Sequence, residues 1–244
     1  MKALNDSLYP VIFRRKSARS YSNAPVPEDF LVKLRDFMTE TVPLLPSEKA
    51  AFEIQPHKGS AMKIAAYAKN EPAAFINLAF MLQQTDLFIQ SNGMGALWNA
   101  TVRASEKQME GLPYGICLVF GTVNENAFRT GNSEFDRKKA EEITDSPDNP
   151  AAEAVRLSPS ARNRQPWFLS CKEGQIDFYC RKIGLLGNTL LKGLQWIDIG
   201  IAVCHAVLAL QKGGFSVSVA SEASAAEKEG YIYMLSLDYE QKKS

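Results

Sequence analysis

Two stretches of the chain are apolar on nearly every side of a helix: FINLAFMLQQTDLFIQ (75–90) and WIDIGIAVCHAVLALQKGGF (196–215). A surface helix keeps a polar face, so two helices of this kind must be wrapped by protein. Each meets a glycine stop, Asn92-Gly93 in the first case and Gly213-Gly214 in the second. Other segments are easier to place. Phe30, Leu31, Leu34, Phe37 and Met38 fall at helical spacing behind Glu28 and Asp29, acids that suit a first turn. That helix stops near Pro43 and Pro46, and a short helix precedes the basic run FRRKSARSY. Ala104 to Glu110 reads as a polar helix, and Ala151 to Arg156 as a short one. FEIQ, MKIAAYAK, GICLVFGTV, FLSC, QIDFYCR, FSVSVA and YIYMLSLDY read as strands, with a turn at Glu173-Gly174.

The pattern repeats. Phe75-Ile76-Asn77-Leu78-Ala79 can be laid on Trp196-Ile197-Asp198-Ile199-Gly200, after which Gly93 meets Gly214 with no gap. GICLVFGTV (115–123) then parallels YIYMLSLDY (231–239). Any two buried helices ending in glycine look somewhat alike, but the matched order favours a tandem duplication. Residues 124–150 are polar, with scattered Gly and Pro, and form the plausible internal boundary. The expected division is a first lobe of 1–143 and a second of 144–244.

Charge and cysteines narrow the function classes. The 28 Lys and Arg nearly cancel 27 Asp and Glu, which leaves no field to hold a nucleic-acid backbone. No apolar run reaches the length that spans a bilayer, and the N-terminus carries no export signal. Cys117, Cys171, Cys180 and Cys204 form no CxxC pair and read as reduced thiols, so a cytoplasmic location is expected. Two histidines are too few for a His-rich metal site. His205 reads as a core histidine, Cys204 lacks an evident base, and Ser160 sits in no GxSxG elbow.

Four segments carry candidate chemistry. Arg14, Arg15, Lys16, Ser17 and Arg19 form a dense anion site anchored between Phe13 and Tyr21, where a solvated basic face is the plain alternative. SPSARNRQPW (158–167) is polar without an apolar period; Asn163 and Gln165 each offer donor and acceptor, which suits the edge of a planar heterocycle, the alternative being an ordinary loop closed by Trp167. Gly93-Met94-Gly95 lets a backbone approach a flat ligand, although glycine after a helix is usually only a cap. Arg137-Lys138-Lys139 is either a solvated charge run or a second phosphate-directed group. A bound cofactor doing the hard chemistry fits this set better than a side-chain acid, nucleophile or metal.

Together these segments resemble the FMN-dependent nitroreductase family, in particular its divergent two-lobed branch. FRRKSARSY resembles its N-terminal basic motif, SPSARNRQPW its flavin-contacting loop, GMG its glycine segment, and RKKAEEI its C-terminal basic motif. The resemblance implies an α+β fold with antiparallel or mixed sheets flanked by helices, internally duplicated, a pseudo-dimer in one chain. Family members are intertwined homodimers with flavin between subunits, one subunit supplying the basic and glycine segments and the other the Pro-Ser-Asn loop. Here the first half keeps the former set. The second half keeps the latter, and only Pro46-Ser47 survives where the first half would carry its own loop. One complete site and one decayed mate are therefore expected, with the two apolar helices packed on each other.

By the same resemblance, Arg15, Lys16, Ser17 and Arg19, with Arg14 adjacent, fall at the phosphate and ribityl end. Pro159, Ser160, Ala161 and Asn163 line the ring and ribityl chain from the other lobe. Met94 and Gly95 present backbone to the ring, and Arg137 adds a phosphate contact; Phe135 stands where the family often has a further cation. Gln165 and Trp167 hold the loop. The implied reaction takes hydride from NAD(P)H and passes it to a nitroaromatic or quinone, with no catalytic side chain. A flavin- or nucleotide-binding module without turnover, or the same fold running a different flavin reaction such as dehalogenation or desaturation, stays open. The expected partner is a small-molecule acceptor, with no nucleic acid or membrane, for a monomer or weak homodimer.

Overall fold

The computed structural model describes residues 1–124, 127–183, 189–221 and 225–242. Helix α2 (Pro72–Ser91) and helix α4 (Thr189–Lys212), the two apolar stretches, pack on each other. Gly200 makes their crossing possible. A Cβ there would lie 2.3 Å from the Ile76 carbonyl oxygen and 2.7 Å from the Ala79 methyl. Close by, the rings of Phe75 and Trp196 meet edge to face at 6.1 Å. Phe75 and Trp196 are matched positions in the repeat, as are Ala79 and Gly200. A residue touches its own counterpart only where a two-fold relation runs through the contact.

Each apolar helix serves its own antiparallel sheet. In the first, β1 (Ala50–Pro56), β2 (Met62–Ala68), β5 (Leu112–Thr122) and β3 (Met94–Asn99) lie in the order β1-β2-β5-β3. In the second, β6 (Trp167–Lys172), β7 (Gln175–Arg181), β9 (Tyr231–Gln241) and β8 (Phe215–Val219) lie in the order β6-β7-β9-β8. Both are a hairpin, a helix and two returning strands. They share even their irregularity: a bulge interrupts β2–β5 between Ala66 and Tyr67, and another interrupts β7–β9 between Phe178 and Tyr179. Beside each bulge a tyrosine pair meets edge to face at 5.9 Å, Tyr67 with Tyr114 and Tyr179 with Tyr233. These bulges correct the register read from sequence. Tyr114, not Cys117, is the counterpart of Tyr233, because Ile116 and Leu235 hold equivalent places in the ladders.

A second expectation is corrected at 104–110, which is not helical. Gln108–Met109 forms a short strand, β4, paired with the start of β5. Glu110 and Gly111 sit at φ 52° and 77°, the two positive values that a two-residue hairpin turn requires. Gly111 was the available signal, and the polar run obscured it. The helix expected at 28–38 is α1 (Glu28–Glu40), and that at 151–156 is α3 (Ala152–Arg156). The N-terminal helix is a 3-10 helix, Asp6–Phe13.

The halves exchange segments. Leu4, Leu8, Val11 and Ile12 are buried in one cluster with Trp167, Leu169, Phe178 and Leu237 of the second sheet. Ile197 and Ile201 of α4 are buried in another with Leu78 and Phe120 of the first half. The stretch Gly193–Lys212 is long and apolar enough by composition to cross a membrane, a length that counting unbroken apolar runs misses. In the fold 83% of it is buried inside the protein, as expected of a core helix.

Replacing Gly200 with Ala should therefore destabilise the protein, although helix propensity alone would favour Ala by about 1 kcal/mol. Overpacking of a core typically costs about 1–3 kcal/mol, and here the new methyl meets backbone. Urea unfolding of Gly200→Ala should show a lower midpoint; an unchanged or raised midpoint would contradict the close crossing.

Candidate functional site

After the 3-10 helix the chain runs beside β3. Ser17 pairs in parallel with Ala96, and the Ala18 N–H donates to the Ala96 carbonyl at 3.0 Å. The Lys16 N–H donates to Gln90 Oε1 at 2.9 Å. This track turns Arg15 inward, where it is only 1% exposed. Its Nε donates to Asp86 Oδ2 at 3.2 Å, and its Nη2 is buried without a hydrogen-bond partner among the described residues. Burying a cation beside one carboxylate satisfies part of its donor fork; the rest calls for an acceptor.

Asp86 is oriented by α2 itself. Gln90 Nε2 donates to its Oδ1 at 2.7 Å and Gln83 Nε2 to its Oδ2 at 3.1 Å. Trp98 Nε1 donates to Gln83 Oε1, which fixes that amide's orientation. Gln83 Nε2 also meets His205 Nε2 at 3.1 Å, so His205 accepts there and carries its proton on Nδ1, which donates to the Ala154 carbonyl at 2.9 Å. His205 is the buried, satisfied histidine that the sequence suggested. Burial, and then repulsion from Arg15 and Arg137, hold it down to about 3, against partial support from Ala154. Burial pushes the Cys204 thiol up, away from nucleophilic use.

The loop at 158–165 comes from the second half of the chain. Arg162, Asn163 and Gln165 take positive φ values of 53°, 56° and 48°. Asn tolerates this region; Arg and Gln rarely enter it, and such strain persists only where the surroundings impose it. They do so here. Ser160 Oγ accepts from the Gln165 N–H at 2.8 Å, Gln165 Oε1 accepts from the Lys138 N–H at 2.8 Å, and Lys138 Nζ donates to the Gln165 carbonyl. From α4, Asp198 Oδ1 accepts from the Ala161 N–H at 2.8 Å. Its counterpart Asn77 accepts from the Leu45 N–H at 2.9 Å, beside Pro46-Ser47. Gln165 holds the loop as expected, and Trp167 is buried beneath it.

Arg137 holds the loop. Its Nη1 donates to Asn163 Oδ1 at 2.8 Å, while its Nε is buried and has no partner among the described residues. Burial, then repulsion from Arg15 and Arg129, hold its guanidinium down to about 10. Phe135 does not leave a gap in the charge, because the guanidinium of Arg129 lies 4.0 Å from its ring centre and that of Arg137 lies 5.5 Å away. The structure thus brings Arg15, Arg137 and Asn163 into one neighbourhood, with the Lys16–Ser17 backbone at its edge. Arg14 and Arg19 are exposed, and Arg14 lies over Phe128. Pro159 is buried; Ser160 and Ala161 are half-buried. Met94 opens β3, opposite Thr122. Gly95 is required by packing, since a Cβ would lie 2.3 Å from Val123 Cγ1 and 2.6 Å from the Ala18 methyl.

Asp86, Gln83, Gln90, Arg129 and Asp198 were missed from sequence. A lone carboxylate in an otherwise apolar helix, Asp86 in α2 and Asp198 in α4, was the available signal. Arg129 had none, lying in a polar connection.

Residues 7–210 match the family model described as "Putative TM nitroreductase". The chain belongs to this family. Its fold is similar to that of a putative nitroreductase from Thermotoga maritima MSB8, with a TM-score of 0.67 at 21% identity over 98% of this chain and 94% of that one. A nitroreductase with bound FMN from Desulfitobacterium hafniense DCB-2 aligns with 56% of this chain and 100% of its own, at 13% identity and a TM-score of 0.42. No curated protein matches significantly. The nitroreductase-like α+β fold read from sequence is thus the fold of the molecule.

In this nitroreductase-family chain the loop anchor has a pH signature. Burial raises the Asp198 carboxyl from 3.8 to about 8, against the Ala161 N–H and Arg164, which lower it. The folded state keeps the proton that the unfolded state releases, so this contribution is complete below the ordinary carboxylate value and is lost as pH rises toward about 8. Asp198→Asn keeps an acceptor for Ala161 and cannot ionise. Its unfolding midpoint should fall less than the parent's between pH 5 and pH 9; equal slopes would contradict a protonated Asp198.

Proposed function

We propose that the protein is an FMN-dependent oxidoreductase that uses NAD(P)H to reduce flat, electron-poor acceptors of the nitroaromatic or quinone type. One observation carries the reading. Two buried guanidinium nitrogens, Arg15 Nη2 and Arg137 Nε, lack partners among the described residues, near where the basic segment of one lobe meets the Asn163 loop of the other. Orphaned buried donors of this charge suit the oxygens of a phosphate, so the residues present fit the phosphate end of FMN.

When bound, FMN supplies the two-electron chemistry. The chain binds and orients. Arg15 and Arg137 hold the phosphate, and Asp86 fixes the direction of Arg15. Lys16, Ser17 and Arg19 attend the ribityl end, with Arg14 at its margin. Pro159, Ser160, Ala161 and Asn163 close over the flavin from the second lobe, and Met94 and Gly95 offer backbone to the ring. No side chain is assigned a proton transfer.

The same reading makes the chain a fused pair of lobes, 1–143 and 144–244, that completes one site without a partner subunit in a reducing cytoplasm. The mate position supports a single site. Asp86 is matched in the repeat by Val207 and Gln83 by Cys204, so α4 offers no carboxylate to an inward arginine. Gln211, the match of Gln90, accepts instead from the Leu4 N–H at 2.8 Å.

Purified protein mixed with FMN and freed of excess should be yellow, and NAD(P)H should bleach it rapidly. Arg15→Ala and Asn163→Ala lie in different halves, yet each should weaken FMN binding. Loss of a hydrogen bond to a charged group costs about 1.5–3 kcal/mol, so roughly tenfold or more for the arginine. Protein that stays colourless overturns the proposal; bound flavin that NAD(P)H does not bleach makes it a binding module instead.

A further inference from the structure

The repeat marks a second position, the mirror of the one where the Arg15 segment passes β3, and the chain fills it differently. In the first half the Lys16 N–H donates to Gln90 and the Ala18 N–H to the Ala96 carbonyl. Gln211 and Val217 are the matched acceptors. They receive the Leu4 N–H and the Met1 nitrogen, each at 2.8 Å, so residues 1–4 pass this position in the opposite direction. The loops differ as well. His205 meets the Ala154 carbonyl and Asp198 the Ala161 N–H, whereas their counterparts Gln84 and Asn77 meet the Val42 carbonyl and the Leu45 N–H. Between matched anchors, one loop runs from 154 to 161 and the other only from 42 to 45. On the strands, Trp98 opposite Leu118 is matched by Val219 opposite Leu237. The shorter loop and the smaller side chain border a cavity of about 640 Å³. Small-molecule sites span about 300–1,000 Å³.

We propose that this cavity is a second ligand site, which takes an uncharged aromatic molecule bearing a hydroxyl group and excludes anions. The lining sets the class. Where α2 carries Asp86, α4 carries the buried Val207, so no carboxylate there holds a cation inward. Among the described lining residues the charged side chains are Lys2 and Glu40, which are exposed and of opposite sign. An anion would leave water for a wall of Val42, Pro43, Leu44 and Val219, with no buried cation to pair with it. A neutral ring avoids that cost and buries apolar surface. Pro43 and Pro46 supply C–H groups, which pack on the negative face of an aromatic ring. The Thr39 and Thr41 hydroxyls donate to the Asp36 and Met38 carbonyls, which leaves their oxygens as acceptors for a ligand hydroxyl. The inference goes beyond the flavin reading and does not depend on it, since the lining includes neither Arg15, Arg137 nor Asn163.

The test incubates the full chain with excess FMN and adds 2-naphthol as the uncharged probe or 2-naphthalenesulfonate as its anionic analogue. NMR follows the methyl signals of Val42 and Leu44. 2-Naphthol should shift them with a Kd about tenfold or more below that of the sulfonate, a difference of about 1.4 kcal/mol or more. Val219→Trp restores the first-half residue and should weaken 2-naphthol about tenfold or more at this cavity, with FMN binding unchanged. Val219→Phe fills the space less and should act in the same direction, which keeps the test decisive if the larger ring prevents folding. Methyl signals that ignore 2-naphthol in the parent, or that respond equally to the sulfonate or to FMN, overturn the proposal. So do folded variants that bind 2-naphthol as tightly as the parent. Protein that stays colourless while its methyl signals respond to 2-naphthol rejects the flavin reading and upholds the second site.

Discussion

Arg15 is a cation taken out of water and held by one carboxylate oxygen. Such a group costs several kcal/mol unless its donors are satisfied, and removing its partner typically costs about 3–5 kcal/mol. The surrounding structure is arranged around that demand. Gln83 and Gln90 hold Asp86, Trp98 holds Gln83, and His205 ties Gln83 to α3 through Ala154. This chain of bonds passes from α2 to α4, helices whose close approach Gly200 allows. The helix crossing and the setting of Arg15 are therefore one construction: the crossing brings together the buried acceptors, and these hold the arginine by its Nε and leave its Nη2 without a partner among the described residues.

The repeat explains how one chain arrives at such a site. Two sheets of the same strand order, bulged at the same place and each flanked by a buried helix, sit about a two-fold relation marked by Phe75–Trp196 and Ala79–Gly200. The equivalent positions have diverged in kind. α2 keeps Asp86 for an inward arginine, where α4 has Val207. α4 keeps Asp198 for the Pro-Ser-Asn loop, where α2 has Asn77 beside a loop that has lost its asparagine. Each helix thus anchors a different segment: α2 holds Arg15 through Asp86, and α4 holds the loop through Asp198.

Much of the fold was legible because it rests on local pattern. The two all-round apolar helices, their glycine stops and the alternating or continuous apolar strands follow from side-chain periodicity. The hairpin at Glu110-Gly111 was misread because a short polar strand has no apolar period, and the register of β9 against β5 slipped because a bulge leaves no mark in composition. At the site, the arginine cluster and the Asn163 loop stand out as dense polar chemistry. Gly95 stands out as a place where backbone can approach a flat ligand, and packing against Ala18 and Val123 requires a glycine there as well. The Asp86 network and the place of Arg129 over Phe135 could not be read, because each depends on residues far apart in sequence meeting in space.

The central claim is that opposite lobes of one chain close a single phosphate-bearing flavin site while its symmetry mate is lost. Calorimetric titration of the purified protein with FMN counts the sites directly. The account predicts a stoichiometry of one FMN per chain, abolished together with the binding heat by Arg15→Ala. Two equivalent sites per chain, or binding heat indifferent to Arg15, would contradict it.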